Sequence, residues 1–136
     1  MEQTPESKKA EKTILVVDDD PATLELVSGF LRGQYNILSA NGGIQALQRS
    51  NDCKETIHLL LTDFSMAGMT GIELATQITL ARPTIQVLLM SGFTGGMLVL
   101  NEGWHFLPKP FISSQLKTLI VGLLSPDLKS RFSSAT

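Results

Sequence analysis

Cysteine is nearly absent from this chain. The single Cys53 excludes an intrachain disulfide framework. A reducing, cytoplasmic setting is the expectation that follows. Only Lys54 supplies a basic neighbour, so Cys53 reads as an inert thiol. Long apolar runs are missing too. Nothing approaches the roughly 18 residues of a membrane span, and residues 1–12 lack the apolar core of a secretory signal. Charge of one sign is scarce. The net charge is −2, and no Lys/Arg cluster stands out beyond Lys8-Lys9, so nothing electrostatic points to nucleic acid. Lys8-Lys9 sits in a mixed-charge tail and reads as solvated. There is no internal repeat.

What is present is an ordinary globular composition: 136 residues, 43% hydrophobic and 18% charged. That is the length of one domain with a real core. Residues 1–12 read as a flexible tail, 13–125 as the folded domain, and 126–136 as a second flexible tail. The run 13–17 is apolar throughout, as in a strand buried on both faces. Asp20 suits an N-cap and Pro21 the first helical turn. Thr23, Leu26, Val27, Phe30 and Leu31 then share a helical face, and Gly33 ends that helix.

Further strands are expected at 35–40, 57–62, 85–90 and 104–107, with helices starting at 44 and covering 71–81 and 112–124. Strands and helices alternate. This predicts an α/β fold: a doubly wound, five-stranded parallel sheet with helices on both faces, flavodoxin-like, in the order 2-1-3-4-5. Nothing after the last helix is long enough for an effector domain, and the stretch before the first strand is expected to be a chain start.

Chemistry gathers where the strands end. The first runs into Asp18-Asp19-Asp20, the third into Asp63, the fourth into Ser91-Gly92 and the fifth into Lys109. In a parallel sheet these ends converge on one crevice. Two carboxylates ~4 Å apart repel by about 4 kcal/mol at an effective dielectric near 20. Asp18, Asp19 and Asp63 therefore call for a cation, and Mg²⁺ suits carboxylates plus water. The plainer reading, helix cap and turn, is retained for Asp20 alone. Asp63 is then a nucleophile toward a phosphoryl donor. Lys109 and the metal would neutralise the transferred oxygens, Ser91 would bond one of them, and Gly92 would allow close approach. Lys109-Pro110 is a candidate cis peptide. His58 and His105 have no His or Cys partners at metal spacing and read as structural.

These residues carry a resemblance. Val16-Val17-Asp18-Asp19-Asp20-Pro21, Asp63-Phe64-Ser65-Met66 with Met69-Thr70-Gly71, Ser91-Gly92 and Lys109-Pro110-Phe111 resemble the receiver domain of two-component response regulators, CheY-like, across 13–124. The resemblance implies that Asp63 accepts a phosphoryl group from a phosphohistidine on a sensor histidine kinase or histidine phosphotransfer domain. It implies Mg²⁺ bound by Asp19, Asp63 and the Ser65 carbonyl, with Asp18 acting through water. Ser91 would swing to the phosphate, Lys109 would pair with it, and Phe106 would be the aromatic switch, although plain core packing is the competing role. A downstream effector protein would read the change. Neither nucleic acid nor membrane is an expected partner, and no turnover of an external substrate is expected.

Three departures accompany the resemblance. Ala67 stands where the family usually has Pro, so a less rigid loop is expected after Asp63. Phe106 replaces the commoner Tyr. Between Ser91 and Lys109 only residues 97–102 remain for a fourth helix, which is expected to be shortened, as in receivers attached to hybrid sensor kinases. Dimerisation through that helix is therefore not expected. Phe93 is expected to shield the acyl phosphate. Leu24 is expected off the core face, as rim packing or an apolar docking patch.

Two rivals differ in class. A haloacid-dehalogenase-type phosphatase would put its nucleophile on the first strand, but Ala22 stands where that pattern needs Thr or Val. A phosphorylation-independent interaction module would need neither the acids nor Ser91 and Lys109. Turnover of a phosphate ester separates the first, and phosphoryl uptake the second.

Overall fold

The structure is a computed structural model that describes residues 12–92 and 104–125. Five strands form one parallel sheet: β1 (Thr13–Val17), β2 (Asn36–Ala40), β3 (Leu59–Asp63), β4 (Gln86–Ser91) and β5 (Trp104–Pro108). Their order is β2-β1-β3-β4-β5, as the alternation of elements predicts. Four helices are described: α1 (Pro21–Leu31), α2 (Gly43–Asp52), α3 (Gly71–Ala81) and α4 (Ser113–Leu124). The segment expected to form the shortened helix at 97–102, Phe93, and all but the last residue of the expected N-terminal tail lie outside the described residues, as does the expected tail at 126–136.

Strand periodicity builds two cores. On β1, Ile14 and Val16 face α1 and α4, packing with Val27, Leu31, Leu116 and Ile120. Leu15 and Val17 face α2 and α3, packing with Ala46, Leu74, Ala75 and Ile78. Both faces of the central strands are buried, which is why they read as unbroken apolar runs. Each fully buried aliphatic chain contributes about 1.5–3 kcal/mol.

Several element ends differ from the expected ones. β3 closes on Asp63 and starts at Leu59, two residues later than expected, although Ile57 is buried ahead of it. β4 closes on Ser91, and β5 runs one residue further, to Pro108. Tyr35 leaves β2 for an isolated bridge with Arg32.

On α1 Val27, Ser28 and Leu31 are buried and Leu24 is partly buried against the same core, together at the i, i+3, i+4, i+7 spacing. This corrects two expectations. Leu24 packs against the core, and Leu26 is 58% exposed. α3 begins with a capping box: Glu73 N–H donates to Thr70 Oγ1 (3.1 Å), and Thr70 N–H donates to Glu73 Oε1 (2.9 Å).

Candidate functional site

Register assembles the site. Val17 pairs with Thr62, and Asp63 pairs with Met90. The residues that follow β1 and close β3 are therefore neighbours, about 4.7–4.9 Å apart along the hydrogen-bonding direction. Ser91 pairs with Pro108, so Lys109 emerges beside the end of β4, and its N–H donates to the Ser91 carbonyl at 2.7 Å. The Lys109-Pro110 peptide is cis, as the sequence indicated.

Asp18, Asp19 and Asp63 each offer an oxygen within 4.8 Å of the others. Their surroundings differ. Asp18 is 2% exposed, Asp63 is partly buried, and Asp19 is exposed. Asp18 Oδ1 accepts the Asp20 N–H at 2.9 Å, while its buried Oδ2 has no hydrogen-bond partner. Lys109 Nζ is its nearest counter-charge, at 3.7 Å, too long for a hydrogen bond. Burial above all, and then the Asp63 charge, push the Asp18 carboxyl above its usual range despite the Asp20 N–H and Lys109.

Lys109 Nζ donates to Asp63 Oδ1 at 2.8 Å. Burial draws the ammonium's pKa down, but the Asp63 hydrogen bond and the charges of Asp63 and Asp18 outweigh it and raise it overall.

An oxygen-only cluster of three carboxylates, with one buried oxygen left unbonded, fits a hard divalent cation such as Mg²⁺. Asp20 stands apart from it. Its Oδ2 accepts the Thr23 hydroxyl at 2.6 Å, and that bond holds its carboxyl below the usual range. It sits at the N-cap of α1 but makes no side-chain bond to a helix N–H.

The loop after Asp63 is fastened at several points. Phe64 N–H donates to the Met90 carbonyl at 2.7 Å, and Gly71 N–H to the Phe64 carbonyl at 2.8 Å. Gly71 lies so close to the Asp63 carbonyl oxygen that a Cβ would collide with it. Gly68 takes a φ of 86°, in the left-handed region open to glycine. Ala67 N–H donates to Asp19 Oδ2 at 2.9 Å. Met69 packs on Gly43 at the start of α2, where a Cβ would meet Met69 Cβ at 2.9 Å.

Ser65, expected to lend its carbonyl, lies exposed in this loop. Ser91 is 5% exposed at the end of β4. Phe106 packs its ring, partly buried, against the core on the α2 and α3 side. His58 lies just before β3, where its Nδ1 accepts the Thr13 N–H at 3.0 Å. Burial first, then Lys12, keeps the imidazole below its usual range. His105 lies within β5.

Sequence reasoning brought together Asp18, Asp19, Asp63, Ser91 and Lys109. It missed the Ala67 N–H, since a backbone donor leaves no mark in a pattern of side chains. The Thr70/Glu73 capping box was visible in the residue types, though not singled out.

The profile of the response regulator receiver domain matches residues 14–121. The chain is 39% identical over 82 residues to the transcriptional regulatory protein ZraR of Klebsiella oxytoca, covering 60% of this chain and 18% of that protein. It is 30% identical over 115 residues to the putative two-component response regulator ARR21 of Arabidopsis thaliana, covering 82% of this chain and 19% of that protein. It thus spans less than a fifth of the length of either relative. Among solved structures, the receiver domain of the hybrid histidine kinase CckA superposes with a TM-score of 0.74 at 30% identity, covering 83% of this chain and 99% of that one. A CheY-like receiver domain protein from Methanospirillum hungatei JF-1 superposes with a TM-score of 0.76 at 25% identity, covering 89% and 99%.

Proposed function

The chain belongs to the response regulator receiver domain family, and on that premise we propose that Asp63 is its phosphoacceptor, charged by a phosphohistidine of a sensor histidine kinase or phosphotransfer domain. The observation that carries this reading is the convergence on Asp63 of two further carboxylates and the Lys109 ammonium.

In the transfer an Asp63 carboxylate oxygen forms the new P–O bond as the phosphohistidine P–N bond breaks. The electron pair returns to the imidazole nitrogen. Asp19, Asp63 and the Ser65 carbonyl would hold Mg²⁺, with Asp18 acting through water, and the ion would supply positive charge against the phosphoryl oxygens. Lys109 starts on Asp63 and pairs with a phosphoryl oxygen once one is there. The Ser91 hydroxyl donates to another. Ser91 and Phe106, on adjacent strands, then carry the change to a downstream effector. No external substrate is turned over.

The test is incubation with acetyl phosphate, with and without Mg²⁺, read by intact mass for the natural chain and Asp63→Asn. One added phosphoryl group, dependent on Mg²⁺ and lost in the variant, is the expected result. No adduct, together with no response to beryllofluoride, would leave a phosphorylation-independent interaction module.

A further inference from the structure

Asp19 is the exposed member of the acidic cluster, and an exposed aspartate ordinarily samples several rotamers. Here its Oδ2 accepts the Ala67 N–H at 2.9 Å, across 48 positions of sequence. The donor belongs to a fastened loop: Phe64 is bonded to β4, Gly71 back to Phe64, and Met69 is packed on Gly43. A fixed donor on a fixed loop holds a carboxylate in one orientation. It occupies one oxygen, and the other stays available to a cation. This bond depends on the residue at position 67 having a backbone N–H. Position 67 holds Ala where the resembling family usually has Pro, and proline has no N–H to give.

We propose that the Ala67 backbone N–H is a positioning group for Asp19 and sets the cation affinity of the cluster. The proposal rests on the reading of Asp18, Asp19 and Asp63 as an Mg²⁺ site. The bond orients Asp19 as outer hydrogen bonds orient metal ligands elsewhere. It removes in advance rotational freedom that binding would otherwise remove. The coupling is reciprocal: a cation that fixes Asp19 strengthens its bond to Ala67 by the same factor. The departure at position 67 thus exchanges the fixed backbone angle of proline for a link between metal occupancy and the loop after Asp63.

The test needs no phosphodonor. Mg²⁺ is titrated against the natural chain, Ala67→Pro and Ala67→Gly, with dissociation constants read from amide NMR shifts. Amide hydrogen exchange at residue 67 is followed with and without Mg²⁺. Ala67→Pro is expected to bind about tenfold more weakly. Ala67→Gly keeps the N–H and is expected to stay close to the natural chain. Exchange of the Ala67 amide in the natural chain is expected to slow when Mg²⁺ is added.

A natural chain with no Mg²⁺ affinity would overturn the metal-site reading and this proposal with it. Normal Mg²⁺ binding with Ala67→Pro equal or tighter would overturn the positioning role alone. If Ala67→Pro fails to fold, the exchange measurement decides, and an Ala67 amide indifferent to Mg²⁺ overturns the proposal.

Discussion

Lys109 Nζ sits 2.8 Å from Asp63 Oδ1. The same ammonium lies 3.7 Å from Asp18 Oδ2, so one cation serves two carboxylates. The receiver therefore carries a built-in counter-charge at the acid proposed to react. It partly offsets the repulsion within the cluster, and it lies within reach of any group bonded to Asp63.

Replacing Lys109 by Ala is accordingly expected to slow phosphoryl uptake from acetyl phosphate by about 10²-fold, the usual loss when a preorganised donor to a developing anion is removed. Mg²⁺ affinity should hold or rise, because a competing cation has gone. Intact-mass time courses and an Mg²⁺ titration measure the two effects. Uptake at the natural rate would remove Lys109 from the chemistry.

Asp18 makes a pH-dependent contribution whose sign can be worked out. Its folded-state carboxyl titrates above the usual range, chiefly through burial. Above that raised pKa the folded protein holds a charge that the unfolded chain carries more easily, so Asp18 costs stability at neutral pH. The cost is relieved as pH falls through the raised value toward the unfolded one. Asp18→Asn is expected to stabilise the Mg²⁺-free protein at pH 7 by about 1 kcal/mol, the scale of a buried polar group left unpaired. The gain should shrink as pH falls. Thermal melts from pH 7 to 4 in chelator would show it, and a gain that grew on acidification would contradict the assignment.

Strand ends were legible in the sequence because a buried parallel strand is an unbroken apolar run, and the polar residue that stops it marks the crevice. Thr13–Val17 into Asp18 shows this directly. The pattern placed the ends of the third and fourth strands one residue short, since Asp63 and Ser91, the residues proposed to supply the chemistry, themselves complete those strands. The buried face of α1 differs from the one the hydrophobic pattern marks because it includes Ser28, which is 1% exposed. A hydrophobic pattern does not count a serine, so it rotated toward Leu26. The Ala67 bond and the contacts of Arg82 join distant segments, and no local pattern encodes them.

That correction reverses an expectation about Leu24. Since Leu24 packs against the core and Leu26 is exposed, Leu24→Asp is expected to destabilise the domain by roughly 2–4 kcal/mol. Leu26→Asp should be within about 0.5 kcal/mol of the natural chain. Denaturant midpoints of the two variants decide the matter. Equal stabilities would place Leu24 off the core face.

Gly71 packs closely against the backbone of the proposed phosphoacceptor. A Cβ there would collide with the Asp63 carbonyl oxygen and press on Leu89 Cδ2 and Phe64 Cα, each at 3.1 Å. Backbone cannot rotate away as a side chain can, so the strand end itself must move. Gly71→Ala is expected to cost about 2–3 kcal/mol and to lower phosphoryl uptake even where the variant stays folded. Chemical denaturation and intact mass, read together, test both parts. A fully stable, fully active variant would show that the loop yields more easily than its contacts imply.

Arg82 supplies the opposite control, a residue expected to govern stability without touching the chemistry. It caps the far end of α3, about 16 Å along the helix axis from the loop that follows Asp63. Its guanidinium donates four hydrogen bonds: Nε to Ser50 Oγ at 2.9 Å, Nη2 to the Ser50 and Cys53 carbonyls at 2.9 and 2.8 Å, and Nη1 to the Glu55 carbonyl at 3.1 Å. Ser50 lies in the last turn of α2, where unpaired carbonyls and the helix dipole both favour a cation. One planar fork thus ties the end of α2 and the chain leaving it to the end of α3. Arg82→Ala is expected to cost about 2–3 kcal/mol and to lower Tm by roughly 10 °C. Arg82→Lys should recover little of this, because a single ammonium cannot reach four acceptors laid out for a guanidinium. Phosphoryl uptake by the folded fraction should match the natural chain for both variants. A loss of uptake out of proportion to unfolding would show that the two ends of the sheet are coupled.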